Sequence, residues 1–182
     1  MLRVWQAEDA GRRWALTEAN RERFGEWLTW PDQTQSVTDV SRFIDETRAA
    51  LRAGSGCDLA VVVDGVVVGG AGLCEIARPP GYGTLGYWID QAAEGRGIMT
   101  AACRAVLRHG FEGLGLERVE LWAMAGNQRS RALAERLGFV LEGTLRRRAL
   151  HRGHWHDRVV YGMLRQQWPV CPTPLGREGR PA

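Results

Sequence analysis

The chain has 182 residues, 45% of them hydrophobic and 25% charged, with a formal net charge of +3 at pH 7. That length suits one domain with a sizeable core, and the composition is that of an ordinary globular protein rather than a disordered or fibrous chain. The mild basic excess permits an acidic cofactor or a ribosomal neighbour without demanding nucleic acid.

Cys57, Cys74, Cys103 and Cys171 are scattered, with no Cys-x-x-Cys, so neither a disulfide framework nor a metal site is expected. No charged-then-apolar leader opens the chain and no apolar run approaches a membrane span, which makes a reducing cytoplasm the expected compartment.

Leu2–Trp5 reads as a short first strand. Glu8-Asp9 then opens a helical run with Trp14, Leu16 and Ala19 facing inward, ending near Asn20. Arg21–Trp30 is rich in aromatics (Phe24, Trp27, Trp30) and is expected to stop at Pro31, which is hostile to a continuing helix. Ser36-Val-Thr-Asp39 resembles a capping box, and the helix it opens puts Val40, Phe43, Ile44, Ala50 and Leu51 near one face before Gly54 closes it.

Asp58–Val63 and Val66–Ile76, joined by Asp64-Gly65, form the clearest hairpin, because Asp-Gly between two apolar runs favours a type I′ turn. Gly69, Gly70 and Gly72 thin the second strand, as a bulge or a close approach of another backbone requires. After a loop at Arg78–Gly83, the strand Leu85–Ile89 completes an antiparallel meander.

Glu94-Gly95-Arg96-Gly97 is a glycine turn feeding a helix from Ile98 to Phe111, with Ile98, Ala102 and Ala105 on one stripe and Ala101 and Val106 beside it. A strand entering a helix through Gly-x-Gly gathers unpaired N–H groups and the positive end of the helix dipole at one place, which is an anion site. It is not a P-loop, since no Lys-Ser or Lys-Thr follows, and it is not a dinucleotide turn, since Thr100 stands where the third glycine belongs. Arg118–Met124 is the next strand, parallel to Leu85–Ile89 through a right-handed crossover. Asn127 caps a helix running to Leu137-Gly138-Phe139, with Ser130, Leu133 and Leu137 inward. Phe139–Arg147 and Asp157–Leu164 are the last strands, with Arg148–His156 between them, and residues 169–182 form a Pro/Gly-rich tail.

The run Glu94-Gly95-Arg96-Gly97-Ile98-Met99 resembles the pyrophosphate loop of the GCN5-related N-acetyltransferases (GNAT), Gln/Arg-x-x-Gly-x-Gly/Ala, departing from it at Glu94 and Met99. Ile-Met-Thr after the glycine is similar to the RimJ/RimL branch, which acetylates the N-termini of ribosomal proteins. Asn127-x-x-Ser130 and Leu137-Gly138-Phe139 resemble the start and end of that family's fourth helix. The resemblance covers about residues 1–168 and implies an α+β acyl-CoA N-acyltransferase fold, with a mixed, mostly antiparallel twisted sheet and helices on both faces.

It further implies acetyl-CoA as co-substrate, held by Gly95, Arg96, Gly97, Ile98, Met99 and Thr100. The pantetheine would lie along Trp88, Ile89 and Asp90, where the fourth and fifth strands splay, and Asn127 would meet its thiol side. Many relatives carry a tyrosine acid where Ala134 stands, so Ser130 is the nearest replacement hydroxyl; Glu142 and Glu75 are the expected bases, with Asp90 a third if the pantetheine does not occupy it. Trp27, Trp30 and Phe43 would shape the acceptor groove.

The acceptor implied is the α-amine of a protein, foremost a ribosomal one, with the ribosome itself a conceivable partner and a homodimer compatible. The alternatives are a small-molecule amine acetyltransferase, acting on an aminoglycoside or polyamine, and a CoA-binding module without catalysis. Arg146-Arg147-Arg148, His151, Arg152, His154, His156 and Arg158 around Trp155 read either as a solvated hairpin or as a guide for an acidic acceptor, RNA or the 3′-phosphate.

Overall fold

The computed structural model describes residues 1–79 and 81–169. Apart from Pro169, the tail expected over 169–182 lies outside the described residues. The strands β1 (Leu2–Val4), β2 (Cys57–Val63), β3 (Val66–Ala77), β4 (Tyr82–Ile89), β5 (Arg118–Met124), β6 (Val140–His151) and β7 (His154–Leu164) form one sheet in the order β1-β2-β3-β4-β5-β7-β6. Every pairing is antiparallel except β4 with β5. The hairpin expected at Asp64-Gly65 is present: both residues take positive φ, 49° and 78°, as a type I′ turn requires.

Helices α1 (Asp9–Ala19), α2 (Arg21–Phe24), α3 (Trp30–Gln33) and α4 (Val37–Ala53) cover one face of the sheet, while α5 (Ile98–Arg108) and α6 (Gln128–Leu137) cover the other. The first face closes over Trp5, Leu16, Phe24, Val40, Ile44, Ala60, Val62 and Trp88; the second over Leu73, Leu85, Cys103, Val106, Leu107, Val119, Leu121 and Tyr161. Ser36 Oγ accepts the Asp39 N–H at 3.2 Å and Gly54 ends α4 at φ 70°, so both caps read from the sequence hold.

Three expectations are corrected. Pro31 does not end a helix but sits in the first turn of α3, where its missing N–H leaves no bond unmade. The α5 stripe runs through Met99, Ala102, Cys103, Val106 and Leu107, with Ala101 and Ala105 turned outward. Arg148–His156 is not a long connection: β6 and β7 extend to a two-residue turn, Arg152 and Gly153, with φ of 46° and 79°. Its tip docks on the opposite wall, where His151 Nε2 donates to Gly25 C=O at 2.7 Å and Arg152 pairs with Asp32 at 2.8 Å. That docking compensates strand formation in a sequence too charged to signal it.

The glycines of β3 allow a close approach of neighbouring strands. A Cβ at Gly72 would stand 2.3 Å from the Cys57 carbonyl oxygen and 2.5 Å from Asp58 Cα, both of them backbone. Gly72→Val is therefore expected to cost about 3 kcal/mol of stability, measured by urea unfolding. A midpoint equal to that of the parent would contradict this packing.

Candidate active site

β4 and β5 are hydrogen-bonded neighbours only where Tyr82–Thr84 faces Arg118–Glu120. Beyond that point both strands continue, to Ile89 and Met124, but they separate. The Asp90 N–H donates to Val68 C=O at 2.8 Å. By the alternation of an antiparallel ladder, the main-chain groups of Trp88 and Asp90 face β3, and those of Tyr87 and Ile89 face the gap. The Ile89 carbonyl accepts from Arg23 Nη2 at 2.5 Å, which leaves the Ile89 N–H and both main-chain groups of Tyr87 directed at the opening. A cleft of about 1120 Å³ occupies this gap.

One end of the cleft is the glycine turn. Gly95 and Gly97 both hold φ 73°, a left-handed conformation that side chains with a Cβ resist. The first helical bond of α5 runs from Ala101 N–H to Gly97 C=O at 3.1 Å. Among the described residues no acceptor takes the N–H groups between Gly95 and Thr100, so they converge as unpaired donors at the positive end of α5. Glu94 does not oppose an anion here. Its carboxylate lies between Arg23 Nη1 and Arg129 Nη1, the latter at 2.6 Å, and its charge is balanced by both.

At the middle of the cleft stands Ser130, in the first turn of α6. Its N–H donates to Asn127 Oδ1 at 3.0 Å, so Asn127 caps the helix as the sequence suggests. Its hydroxyl lies 2.8 Å from the hydroxyl of Tyr87, which projects from β4. Burial pushes the Tyr87 phenol well above its ordinary value, so it stays protonated. Ala134, where a tyrosine acid is common in the family, is fully buried beneath α6 and offers no polar group.

Of the residues expected to hold the cofactor, Trp88, Ile89, Gly95, Gly97, Ile98, Met99, Thr100 and Asn127 border the cleft, and Asp90 and Arg96 do not. The Asp90 carboxylate accepts from Asn20 Nδ2 at 3.0 Å and caps the short turn Gln91–Ala93. The Trp88 indole is turned to the other face, stacked on Trp5 at 6.3 Å and packed against Phe24 and Trp30. Arg13, 3% exposed, sits inside that aromatic group, 3.9 Å from the Phe43 ring and 4.9 Å from Trp30. Phe24, Trp27 and Trp30 line the cleft; Phe43 does not, and packs with the Trp5 cluster.

Glu142 is corrected. It lies outside the cleft, in a two-point ion pair with Arg118 at 2.7 and 2.5 Å, and that pairing holds its carboxyl below the usual carboxylate range. Paired in this way, it brings no free carboxylate to the cleft lining. Glu75 does not line the cleft either and accepts from Thr84 Oγ1 at 3.3 Å. Sequence reasoning missed Tyr87, although its two-residue offset from Ile89 in a strand placed both on one face. It also left Trp122 without a role and gave Arg148 and Arg158 only a general guiding one; all three line the cleft.

The sequence profile described as the acetyltransferase (GNAT) domain matches residues 1–140. YdaF of Bacillus subtilis strain 168, named as a candidate ribosomal N-acetyltransferase, is 34% identical over 168 residues, covering 92% of each chain. The structure of Mycobacterium smegmatis RimJ in complex with a CoA-disulfide superposes with a TM-score of 0.85 at 26% identity, covering 93% of this chain and 83% of that one. At 22% identity the fold is also shared with RimL, the ribosomal L7/L12 α-N-protein acetyltransferase solved with coenzyme A: the TM-score is 0.87, over 90% of this chain and 92% of the other.

Proposed function

The chain belongs to the GNAT acetyltransferase family and is an acetyl-CoA-dependent N-acetyltransferase; from that premise we propose that its acceptor is the α-amine of a protein N-terminus, a ribosomal protein foremost, met in the cytoplasm. The observation that carries the choice of acceptor is the charge of the cleft wall. Arg136, Arg148 and Arg158 line it, none of them in an ion pair among the described residues. Of the two carboxylates that line it, Glu26 and Glu94, the second is already bound to arginines. A polyamine or aminoglycoside would bring several positive charges to this wall and be repelled. A peptide brings one amine on an extended backbone suited to an open gap between strands. The name of YdaF, a candidate ribosomal N-acetyltransferase, supports a ribosomal acceptor.

In this reading the diphosphate of acetyl-CoA lies on the amides of Gly95–Thr100 and the pantetheine follows the open edge of β4. The Ile89 N–H faces the thioester carbonyl. The neutral amine attacks the carbonyl carbon, a C–N bond forms, and the oxygen takes negative charge against that donor; one such preorganised donor is worth roughly 3 kcal/mol of barrier. The C–S bond then breaks and the thiolate takes the proton of Ser130 Oγ, which is replaced, through water, by the proton the amine has lost.

Tyr87, kept protonated by burial, shares a 2.8 Å hydrogen bond with Ser130 Oγ; in this reading the phenol is the donor, which directs the serine proton toward the departing sulfur. The α6 N-terminus favours the thiolate as it forms. An α-amine has a pKa of about 8, so roughly a tenth is neutral at pH 7, and bulk water suffices as base. That matches a cleft from which Glu142 and Glu75 are both absent.

The reading is tested by a thiol-release assay with N-terminally free peptides, spermidine and an aminoglycoside as acceptors. Peptides are expected to drive release; release with the polycations alone would overturn the assignment.

A further inference from the structure

The basic stretch of the last hairpin reads from the sequence as a solvated hairpin or as a guide for an acidic acceptor, RNA or the 3′-phosphate, and in the structure two of its arginines line the cleft. We propose that Arg148 and Arg158, beside Trp122, form a subsite for a carboxylate side chain carried near the N-terminus of the acceptor polypeptide. This rests on the protein-acceptor reading above and narrows it to acidic N-termini.

The placement follows from the strand pairing. β6 is bulged between Leu145 and Ala149. Within the bulge Arg147 holds φ 50°, and its N–H is taken by Asp157 Oδ1 at 2.8 Å. A bulge re-aims the side chains around it, and here Arg148 lies on the cleft wall rather than along the sheet edge. Arg158, on β7, stands opposite Leu145 on one side and Met124 on the other, with its guanidinium carbon 5.0 Å from the centre of the Trp122 ring. Val119, Leu121 and Ala123 of β5 pack toward α5 and α6, so Trp122 belongs to the opposite face of the sheet, away from the anion loop. The pair therefore sits on the acceptor side.

Among the described residues no carboxylate forms an ion pair with either arginine: Glu26 lines the cleft unpaired, and three other acids are committed elsewhere. Glu120 accepts from Arg118 and from Trp122 Nε1 at 2.9 and 2.8 Å, Glu142 is held by Arg118, and Asp32 is held by Arg152. Glu75 attracts Arg158, but burial and the neighbouring Arg148 outweigh it, and the Arg158 guanidinium is shifted below its ordinary value. Both guanidinium groups lie on the cleft lining, and their like charges repel. A carboxylate placed between them relieves that repulsion and accepts paired N–H donors, while the indole face holds one guanidinium in plane.

The test uses the full chain and an N-terminally free neutral peptide in which Asp, and separately Lys, is scanned through positions 2 to 5. At one or two positions Asp is expected to raise kcat/KM about tenfold over the neutral peptide, and Lys to lower it. Arg148→Glu and Arg158→Glu should reverse that order, losing the Asp advantage and gaining on the Lys peptide, with the KM for acetyl-CoA unmoved. A gain on one substrate cannot come from misfolding. Flat Asp and Lys scans on an enzyme that acetylates the neutral peptide would overturn the subsite alone, and so would a charge-reversed variant whose loss lies in the KM for acetyl-CoA. Release of thiol with small amines but with no peptide would instead remove the protein-acceptor reading, and the subsite with it.

Discussion

Ser130→Ala is expected to lower kcat about a hundredfold with the best peptide acceptor, with little change in the KM for acetyl-CoA. In the proposed mechanism the hydroxyl acts when the C–S bond breaks, so its loss raises the barrier to departure rather than weakening the ground-state complex. A positioned general acid contributes about 10²–10⁴ in rate, and a hundredfold loss corresponds to about 2.7 kcal/mol.

Tyr87→Phe keeps the ring and removes the donor 2.8 Å from Ser130 Oγ. Without that donor the serine proton is no longer committed toward sulfur, and a loss of about tenfold is expected. The double variant should resemble Ser130→Ala rather than the product of the two, because the tyrosine acts only through the serine. Steady-state kinetics of thiol release measures all three. A turnover number unchanged in Ser130→Ala removes the serine from the chemistry; equal multiplication of the two losses separates Tyr87 from it.

Gly97→Val is expected to weaken coenzyme A binding about a hundredfold, read by calorimetry. The reason is backbone conformation, because a Cβ at Gly97 meets nothing within 4 Å. At φ 73° the valine costs about 1–2 kcal/mol, and relaxing that strain turns the amides before α5 away from their common focus. Each hydrogen bond to a charged group lost in this way is worth about 1.5–3 kcal/mol.

Gly65→Val is the control. Gly65 lies at φ 78° in the β2–β3 turn and is equally free of contacts, so it bears the same backbone strain far from the cleft. Both variants should lose stability, but only Gly97→Val should lose coenzyme A. Equal affinities in the two would detach the loop from the cofactor.

What could be read from the chain in order was local. The Asp64-Gly65 turn, the Ser36 and Asn127 caps, the glycine ends at Gly54 and Gly138 and the Gly-x-Gly entry to α5 depend on residues within four positions of one another. Each stands where its chemistry indicates. The sheet and the meander followed, because period-two apolar runs of fixed hand leave few topologies. The strands of the last hairpin were underestimated, since Arg146–Arg148 and His151–His156 carry little apolar periodicity. Their pairing is stabilised by contacts with Gly25 and Asp32, more than a hundred residues earlier.

The site divides in the same way. The anion loop was legible, being a property of main-chain groups over six consecutive residues. The choice of base was not, because a carboxylate's availability depends on its distant partner: Arg118 takes Glu142, and Asn20 takes Asp90. Tyr87 and Ser130, separated by 43 positions, come within 2.8 Å of each other only where β4 parts from β5. By itself, then, the sequence determined the elements, their caps and the turn whose amides stand unpaired before α5, since those interactions close over short stretches of backbone. The tertiary structure alone decided which side chains keep free protons and free charge in the cleft, because that depends on neighbours brought together from remote parts of the chain.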